Sequence, residues 1–344
     1  MLFISYYPTW DLLDSIIEDS EAKQINIFID LKNCLSGLYM ENSIKTMLDV
    51  NSNTKTPIAD IFNSWLDFVS FFYKYMNKRK ANIHLYHISD SGDSLYHRNL
   101  LKTYKENRTI TKFNTMSILE KDTTKKIIRQ NFEAIHNAAK KLYNNHSIDL
   151  KHFESDFVGH YLIREYFQDE KYLNIIFSRD TDMFQTLKFD NTKIFYRNSK
   201  EDKLFYDKNN WVDKYKKEKF DISFPVDNFL YLKCVAGDTA DDIPGLKNIG
   251  MKKAYNVLKK IERPLEGIED LKNKLEQIDD KNAKRFLEEW DIIERNYKLI
   301  SFDEISKHTP YPVVEILTTL DTHEKFNFGE SVLFINKINE KLGV

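Results

Sequence analysis

Only two cysteines, Cys34 and Cys234, occur in the 344 residues, and their separation matches no metal-binding or redox spacing. A disulfide framework is excluded as the basis of the fold, and a reducing, cytoplasmic setting is expected. No apolar run approaches the roughly 20 residues that cross a bilayer. The opening stretch, MLFISYYPTWDLLDSIIEDS, has no basic leader and places acids at Asp11 and Asp14, so a signal peptide is not expected. Internal repeats, low-complexity tracts and Pro/Gly-rich linkers are missing as well, which leaves any domain boundary soft. An excess of positive charge is also lacking: 51 basic residues face 53 acidic ones, for a net charge of −2. That sum argues against nucleic-acid binding, but the distribution of charge matters more than the sum.

What is present is an ordinary globular composition, 42% hydrophobic and 30% charged, enough for one large domain or two smaller ones with a sizeable core. The basic residues are not spread evenly. From Arg98 to Arg129 the chain reads RNLLKTYKENRTITKFNTMSILEKDTTKKIIR, where bases far outnumber Glu106, Glu120 and Asp122. A second basic cluster, KNIGMKK, runs from Lys247 to Lys253.

Hydrophobic periodicity predicts an α/β chain. INIFIDL (25–31), ANIHLYHISD (81–90) and YLNIIFSRDTD (172–182) read as strands ending in acids, and KIFYRN (193–198) and KLFYD (203–207) as further strands. Helices are predicted over 58–75, around 123–143 and over 153–167, and from about 208 the chain turns helical. Strands alternating with helices indicate a mostly parallel sheet, whose sites lie at the strand C-terminal ends.

Eight acids form a candidate constellation: Asp30, Asp90, Glu154, Asp156, Asp180, Asp182, Asp238 and Asp241. Glu154/Asp156 and Asp180/Asp182 have i, i+2 spacing. Asp238/Asp241 have i, i+3 spacing, on one side of a helical turn. An oxygen-rich set without His or Cys suits Mg²⁺ or Mn²⁺. Two such ions about 3.5–4 Å apart support phosphodiester hydrolysis. Taken singly, an Asp after a strand is more often a cap or a turn. SRDTD by itself fits a turn and a helix N-cap, so only the ordered set carries weight.

The segment 232–258, LKCVAGDTADDIPGLKNIGMKKAYNVL, reads as a helix-hairpin-helix. Pro244 and Gly245 end one helix, and Gly250 opens the next. Glycines admit close backbone approach to a phosphate, and the amides of the second helix can receive it. Lys247, Lys252 and Lys253 add charge there. Binding of this kind reads the nucleic-acid backbone and not its sequence. The plain alternative is a packing corner with glycines for tight contact.

With these residues assembled, the chain resembles the flap endonuclease/5′-nuclease family, above all its bacteriophage members, which include a phage 5′-nuclease called ribonuclease H. The resemblance covers roughly 25–260. It rests on FIDLKN, DSGDSLYHRNLLKTYKENR, FESD, FSRDTDMFQTL and GDTADDIPGLKNIGMKKA. It implies a PIN-like α/β core over 25–207 with a helical arch over about 98–150. A helical subdomain over 208–344 would hold a helix-three-turn-helix element at 243–258, and residues 1–24 form an extension without an assigned role. It implies a first metal held by Asp30, Asp90, Glu154, Asp156 and Asp180, and a second held by Asp182 and Asp241 with Asp238 nearby. Lys105 and Arg108 match cations that contact the scissile phosphate, and a potassium ion is expected at the hairpin carbonyls. The implied activity is 5′→3′ exonuclease and flap endonuclease cleavage of DNA and of RNA in RNA–DNA hybrids, for primer removal in phage replication with other replication proteins. The chain departs from many relatives at Phe157, where they carry an additional Asp. That departure motivates a competing expectation, a non-catalytic DNA-binding scaffold. A ribonuclease of structured RNA is a third reading, which the hairpin disfavours. In the arch, Lys112, Lys121, Lys125, Lys126 and Arg129 suit a single-stranded 5′ end. Tyr104 and Phe113 suit base stacking or, more simply, core packing. The end FNFGESVLFINKINEKL reads as a core helix or as a partner contact.

Overall fold

The structure is a computed structural model, and it describes residues 8–31, 33–34, 57–91, 94–106, 118–151, 153–178, 180–197, 203–212, 224–308 and 325–342. Six strands make one sheet: β1 (Gln24–Asp30), β2 (Ile83–Ser91), β3 (Asn145–Lys151), β4 (Tyr172–Phe177), β5 (Thr192–Arg197) and β6 (Lys203–Tyr206). Their order is β3-β2-β1-β4-β5-β6. All neighbours pair in parallel except β6, which runs antiparallel to β5. The fold is thus the expected PIN-like α/β class with a mostly parallel sheet.

Strand periodicity sorts the side chains onto two faces. Ile25, Ile27 and Ile29 of β1 join Leu85, Ile175 and Phe177 in one core, which is covered by α1 (Trp10–Glu18), α2 (Pro57–Arg79) and α4 (Ile118–Ala139). Phe28 takes the opposite face with Tyr86, Ile88, Ile176 and Ile194, against α5 (Ser155–Tyr166). Asp30 is two residues on from Phe28, so the strand period assigns it to the α5 face. The short α3 (Leu95–Leu100) follows β2.

The second core continues into helices α6 (Phe229–Ala236), α7 (Met251–Leu258), α8 (Ile268–Glu276), α9 (Lys281–Glu288), α10 (Trp290–Ile300) and α11 (Phe302–Lys307). Between α6 and α7, β7 (Gly237–Asp238) and β8 (Ile243–Pro244) form a miniature antiparallel hairpin. The last helix, α12 (Phe328–Leu342), returns to the first core. Its Phe328 stacks on Tyr73 at 5.4 Å, and Ile335 is buried. The C-terminal segment is therefore a core helix.

The hairpin departs from the expected helix end: α6 ends at Ala236, and Pro244 lies in β8 and does not end a helix, because residues 237–244 fold back as paired strands. Two further elements were not anticipated. Residues 145–151, placed by the resemblance within the arch, form the edge strand β3. Its polar residues pair inward, Asn145 with His87 at 2.8 Å and Ser147 with His136, so the alternation of apolar residues that marks a strand is weak. The first helix α1, in the extension, is held by Trp10 edge-on to Tyr75 at 5.8 Å and by Asp14 bonding Tyr75 and Arg79.

Candidate metal centre and nucleic-acid interface

Three acids converge at the strand C-terminal ends. One carboxylate oxygen from each of Asp156, Asp180 and Asp182 lies within 4.8 Å of the others. Asp156 is in the first turn of α5. Asp180 caps the 3-10 helix Thr181–Lys188 by accepting from the Asp182 amide at 3.0 Å, so SRDTD is a cap and a cluster at once. Asp30 borders this group and is held by two serines. It accepts from Ser155 Oγ at 2.9 Å and from Ser178 Oγ at 3.3 Å. Asp90 lies in β2, opposite Leu150 of β3.

A second part of the site is bridged by Tyr104 and Lys105, which follow α3. The Tyr104 hydroxyl is 3.1 Å from both Glu154 carboxylate oxygens and 3.2 Å from Asp241 Oδ2. Having one hydrogen, it donates to one of them at a time. Lys105 Nζ reaches the same two acids, Glu154 at 2.5 Å and Asp241 at 3.5 Å. Its backbone is left-handed, φ 55°, and its amide donates to the Asp241 carbonyl at 3.0 Å, which ties this segment to the hairpin. Tyr104 is buried, with His97 stacked on it at 4.5 Å. Of the two roles raised for it, packing is the one observed, with carboxylate bridging added. Arg108, Lys112 and Phe113 lie outside the described residues. Lys121, Lys125 and Lys126 are on α4, and Arg129 there is an exposed partner of Glu133 at 3.0 Å.

The third part was not anticipated. Lys233 of α6 bonds Asp182 and lies 2.7 Å from Asp238 Oδ2. Its signal in the sequence was a single charge inside the apolar run FLYLKCVA, immediately before Gly237-Asp238.

The electrostatics fit a cation. Burial, then Glu154 and Asp180, pushes the Asp156 carboxyl well above the usual carboxylate range. Asp182 is pushed up to about 7, led by burial, with Lys233 pulling the other way. Burial opposes the charge on Lys233, but Asp182, Asp238 and Asp180 outweigh it and hold the ammonium well above the ordinary lysine range. Crowded, partly buried carboxylates of this kind are an all-oxygen donor set for a hard divalent ion. Phe157 adds nothing to that set. Its ring packs in the core near Phe153, Tyr161 and Phe302.

The hairpin stands beside this centre. Gly245 presses on the C-terminal end of α6, where a Cβ would fall 2.1 Å from the Ala236 carbonyl carbon. Gly237, at φ 78°, is equally tight. Gly250, the N-cap of α7, has open space around it. Lys247, Lys252 and Lys253 are exposed, and Lys253 Nζ donates to the Asn248 carbonyl at 2.9 Å. The Lys247 carbonyl accepts from Arg285 at 2.6 Å. Of the two glycines, then, Gly245 serves internal packing, and Gly250 leaves an accessible helix start.

Comparison with known proteins gives consistent results. A family model described as 5′-3′ exonuclease, N-terminal resolvase-like domain, matches residues 13–216. A 5′-3′ exonuclease of Buchnera aphidicola subsp. Schizaphis graminum is 27% identical over 269 residues, 77% of this chain and 80% of that protein. DNA polymerase I of Borreliella burgdorferi is 33% identical over 134 residues, which are 39% of this chain and 13% of the polymerase's length. Among solved structures, a bacteriophage T5 flap endonuclease in complex with DNA and metal ions superposes with a TM-score of 0.58 at 18% identity. The match covers 92% of this chain and 99% of that one. A T5 5′-exonuclease with bound zinc superposes with the same TM-score, 0.58.

Proposed function

This chain belongs to the 5′-3′ exonuclease family, and on that premise we propose that it is a divalent-metal-dependent nuclease that cuts strands near free 5′ ends, as exonuclease and flap endonuclease. The observation that carries the proposal is the convergence of Asp156, Asp180 and Asp182 within 4.8 Å, directly beside the Lys105–Glu154 pair.

The first ion, Mg²⁺ or Mn²⁺, is assigned to Asp30, Asp90, Glu154, Asp156 and Asp180, and the second to Asp182 and Asp241 with Asp238. Bound ions supply Lewis acidity for phosphodiester hydrolysis. The chain's own residues do the rest. Ser155 and Ser178 orient Asp30. Tyr104 and Lys105 hold Glu154 and Asp241 together. Lys105, with Arg108, is the cation that stabilises charge developing on the scissile phosphate. The start of α7 at Gly250, with Lys247, Lys252 and Lys253, receives a phosphate of the duplex. A potassium ion at this turn would share the Lys247 and Asn248 carbonyls, which here accept from Arg285 and Lys253. The substrates are DNA with a 5′ flap or free 5′ end and the RNA strand of RNA–DNA hybrids. The setting is primer removal during replication in the cytoplasm, that of the host if the chain is phage-encoded, alongside other replication proteins.

A scaffold without catalysis would be expected to have lost part of its acid set. The sequence retains all eight acids, and seven of their side chains are described in this one region. The test is cleavage of a 5′-labelled flap duplex with Mg²⁺ or Mn²⁺ against EDTA, in wild type and in Asp180→Ala. Metal-dependent short products that vanish in Asp180→Ala, with duplex binding intact, are expected. Binding without cleavage by the wild type in either ion would move the assignment to a scaffold.

A further inference from the structure

Resting on the nuclease reading above, we propose that Lys233 is a built-in counter-ion that makes the two ion positions unequal, because a second divalent ion is bound only when Lys233 leaves Asp182 and Asp238. Its ammonium lies between these two carboxylates, bonded to Asp182 and 2.7 Å from Asp238, with 9% of the side chain exposed. That is where a cation shared by the pair would have to sit.

The surroundings give the lysine little latitude. Helix α6 is buried from Phe229 to Val235 and is fixed to α10 by Asn296, whose amide donates to the Cys234 carbonyl at 2.9 Å. The backbone cannot retreat, so Lys233 vacates the pair only by swinging its own four-carbon stem. Charge works in the same direction. Asp182, Asp238 and Lys233 sum to −1, whereas the Asp156/Asp180/Asp182 group offers three carboxylates. Asp182 is common to both groups and has two oxygens. A first ion held by Asp30, Asp90, Glu154, Asp156 and Asp180 leaves Lys233 undisturbed. A second ion meets an ammonium at contact distance and has to displace it.

The proposal is tested by counting bound Mn²⁺, using the electron paramagnetic resonance signal of the free ion, in wild type and Lys233→Met. Wild type should take one ion per chain, with the second at least about tenfold weaker, equivalent to about 1.4 kcal/mol. In Lys233→Met the second ion should tighten by about tenfold while the first is unchanged. Two equal sites in wild type, or a second constant unmoved by the substitution, would overturn the proposal. Should Lys233→Met fail to fold by circular dichroism, the wild type itself answers through the ¹⁵N resonance of the Lys233 ammonium during Mg²⁺ titration. That resonance should hold through the first equivalent and move with the second, and movement with the first refutes the idea. Neither readout depends on cleavage, so loss of the nuclease reading and loss of this one are distinguishable.

Discussion

Replacing Gly245 with alanine should damage the protein far more than the same change at Gly250, although both glycines sit in one turn. At Gly245 the new Cβ would lie 2.1 Å from the Ala236 carbonyl carbon and oxygen and 2.5 Å from the Gly237 nitrogen, where 3.4–4 Å is ordinary contact. The obstacle is backbone, so no rotamer relieves it, and the chain must part by about an ångström. Parting breaks the Leu246 amide to Val235 carbonyl bond of 3.0 Å and the Gly237–Pro244 pairing. Overpacking costs about 1–3 kcal/mol, and two lost hydrogen bonds add about 1 kcal/mol each, for a total of about 3–5 kcal/mol. At about 2 °C per kcal/mol in a chain of this size, the melting midpoint should fall by about 6–10 °C. Gly250 has nothing within 4 Å of its Cβ position and an ordinary φ of −95°. Gly250→Ala should therefore cost under about 1 kcal/mol, the loss of a favourable N-cap residue. It should nevertheless weaken duplex binding, because the methyl stands where a phosphate would approach the amides. Calorimetric melting and fluorescence anisotropy on a labelled duplex separate the two effects. A Gly245→Ala protein that melts within about 1 °C of wild type would refute the reasoning, as would a Gly250→Ala protein that is the less stable of the two.

Three further outcomes are expected. Burial pushes the His84, His87 and His160 imidazoles down to about 4. The unfolded chain takes up these protons near pH 6.5 and the folded chain only near 4, so their stabilising effect is complete above 6.5 and is lost as pH falls toward 4. Each is worth up to about 3 kcal/mol. Melting midpoints in saturating Mg²⁺ should drop steeply between pH 6.5 and 4.5, and a flat profile would contradict the burial argument. Lys252→Ala and Lys253→Ala should each lower the slope of log affinity against log salt by about 1 for duplex DNA; an unchanged slope removes them from the phosphate contacts. Tyr104→Phe removes one of the two donors shared by Glu154 and Asp241, leaving Lys105, and should destabilise the protein by about 1–3 kcal/mol in urea titrations. Unaltered stability would mean that Lys105 alone suffices.

Much of the sheet was legible because β1 and β4 are short apolar runs, each interrupted by one buried asparagine, with an acid at or just past the end, a pattern local to a few residues. The order of the acids is local in the same way, but the Pro-Gly pair, read as a helix end, lies in the small hairpin that pairs Pro244 with Gly237. What could not be read depends on distant partners. Strand β3 hides its polar residues by pairing them with His87 and His136, so its periodicity is blurred. Lys233 looks like a misplaced charge until α6 packs beside Asp182, 51 positions away in sequence. The two glycines of the turn are indistinguishable as letters, and only the approach of residues 236–237 separates their duties.

The return of α12 to the first core has a consequence for the order in which the protein matures during synthesis. Tyr143 bonds Ser331 across 188 positions, and the Phe326 amide reaches the Lys141 carbonyl at 2.8 Å. Contacts so far apart form late, and a ribosome delivers residues 328–342 only after the sheet and the hairpin have emerged. Until then the Tyr73 face of α2 stays open to water and to other nascent chains. This apolar seam is thus the place where a chaperone would be needed, and where pulse-labelled hydrogen exchange should find the last amides to gain protection.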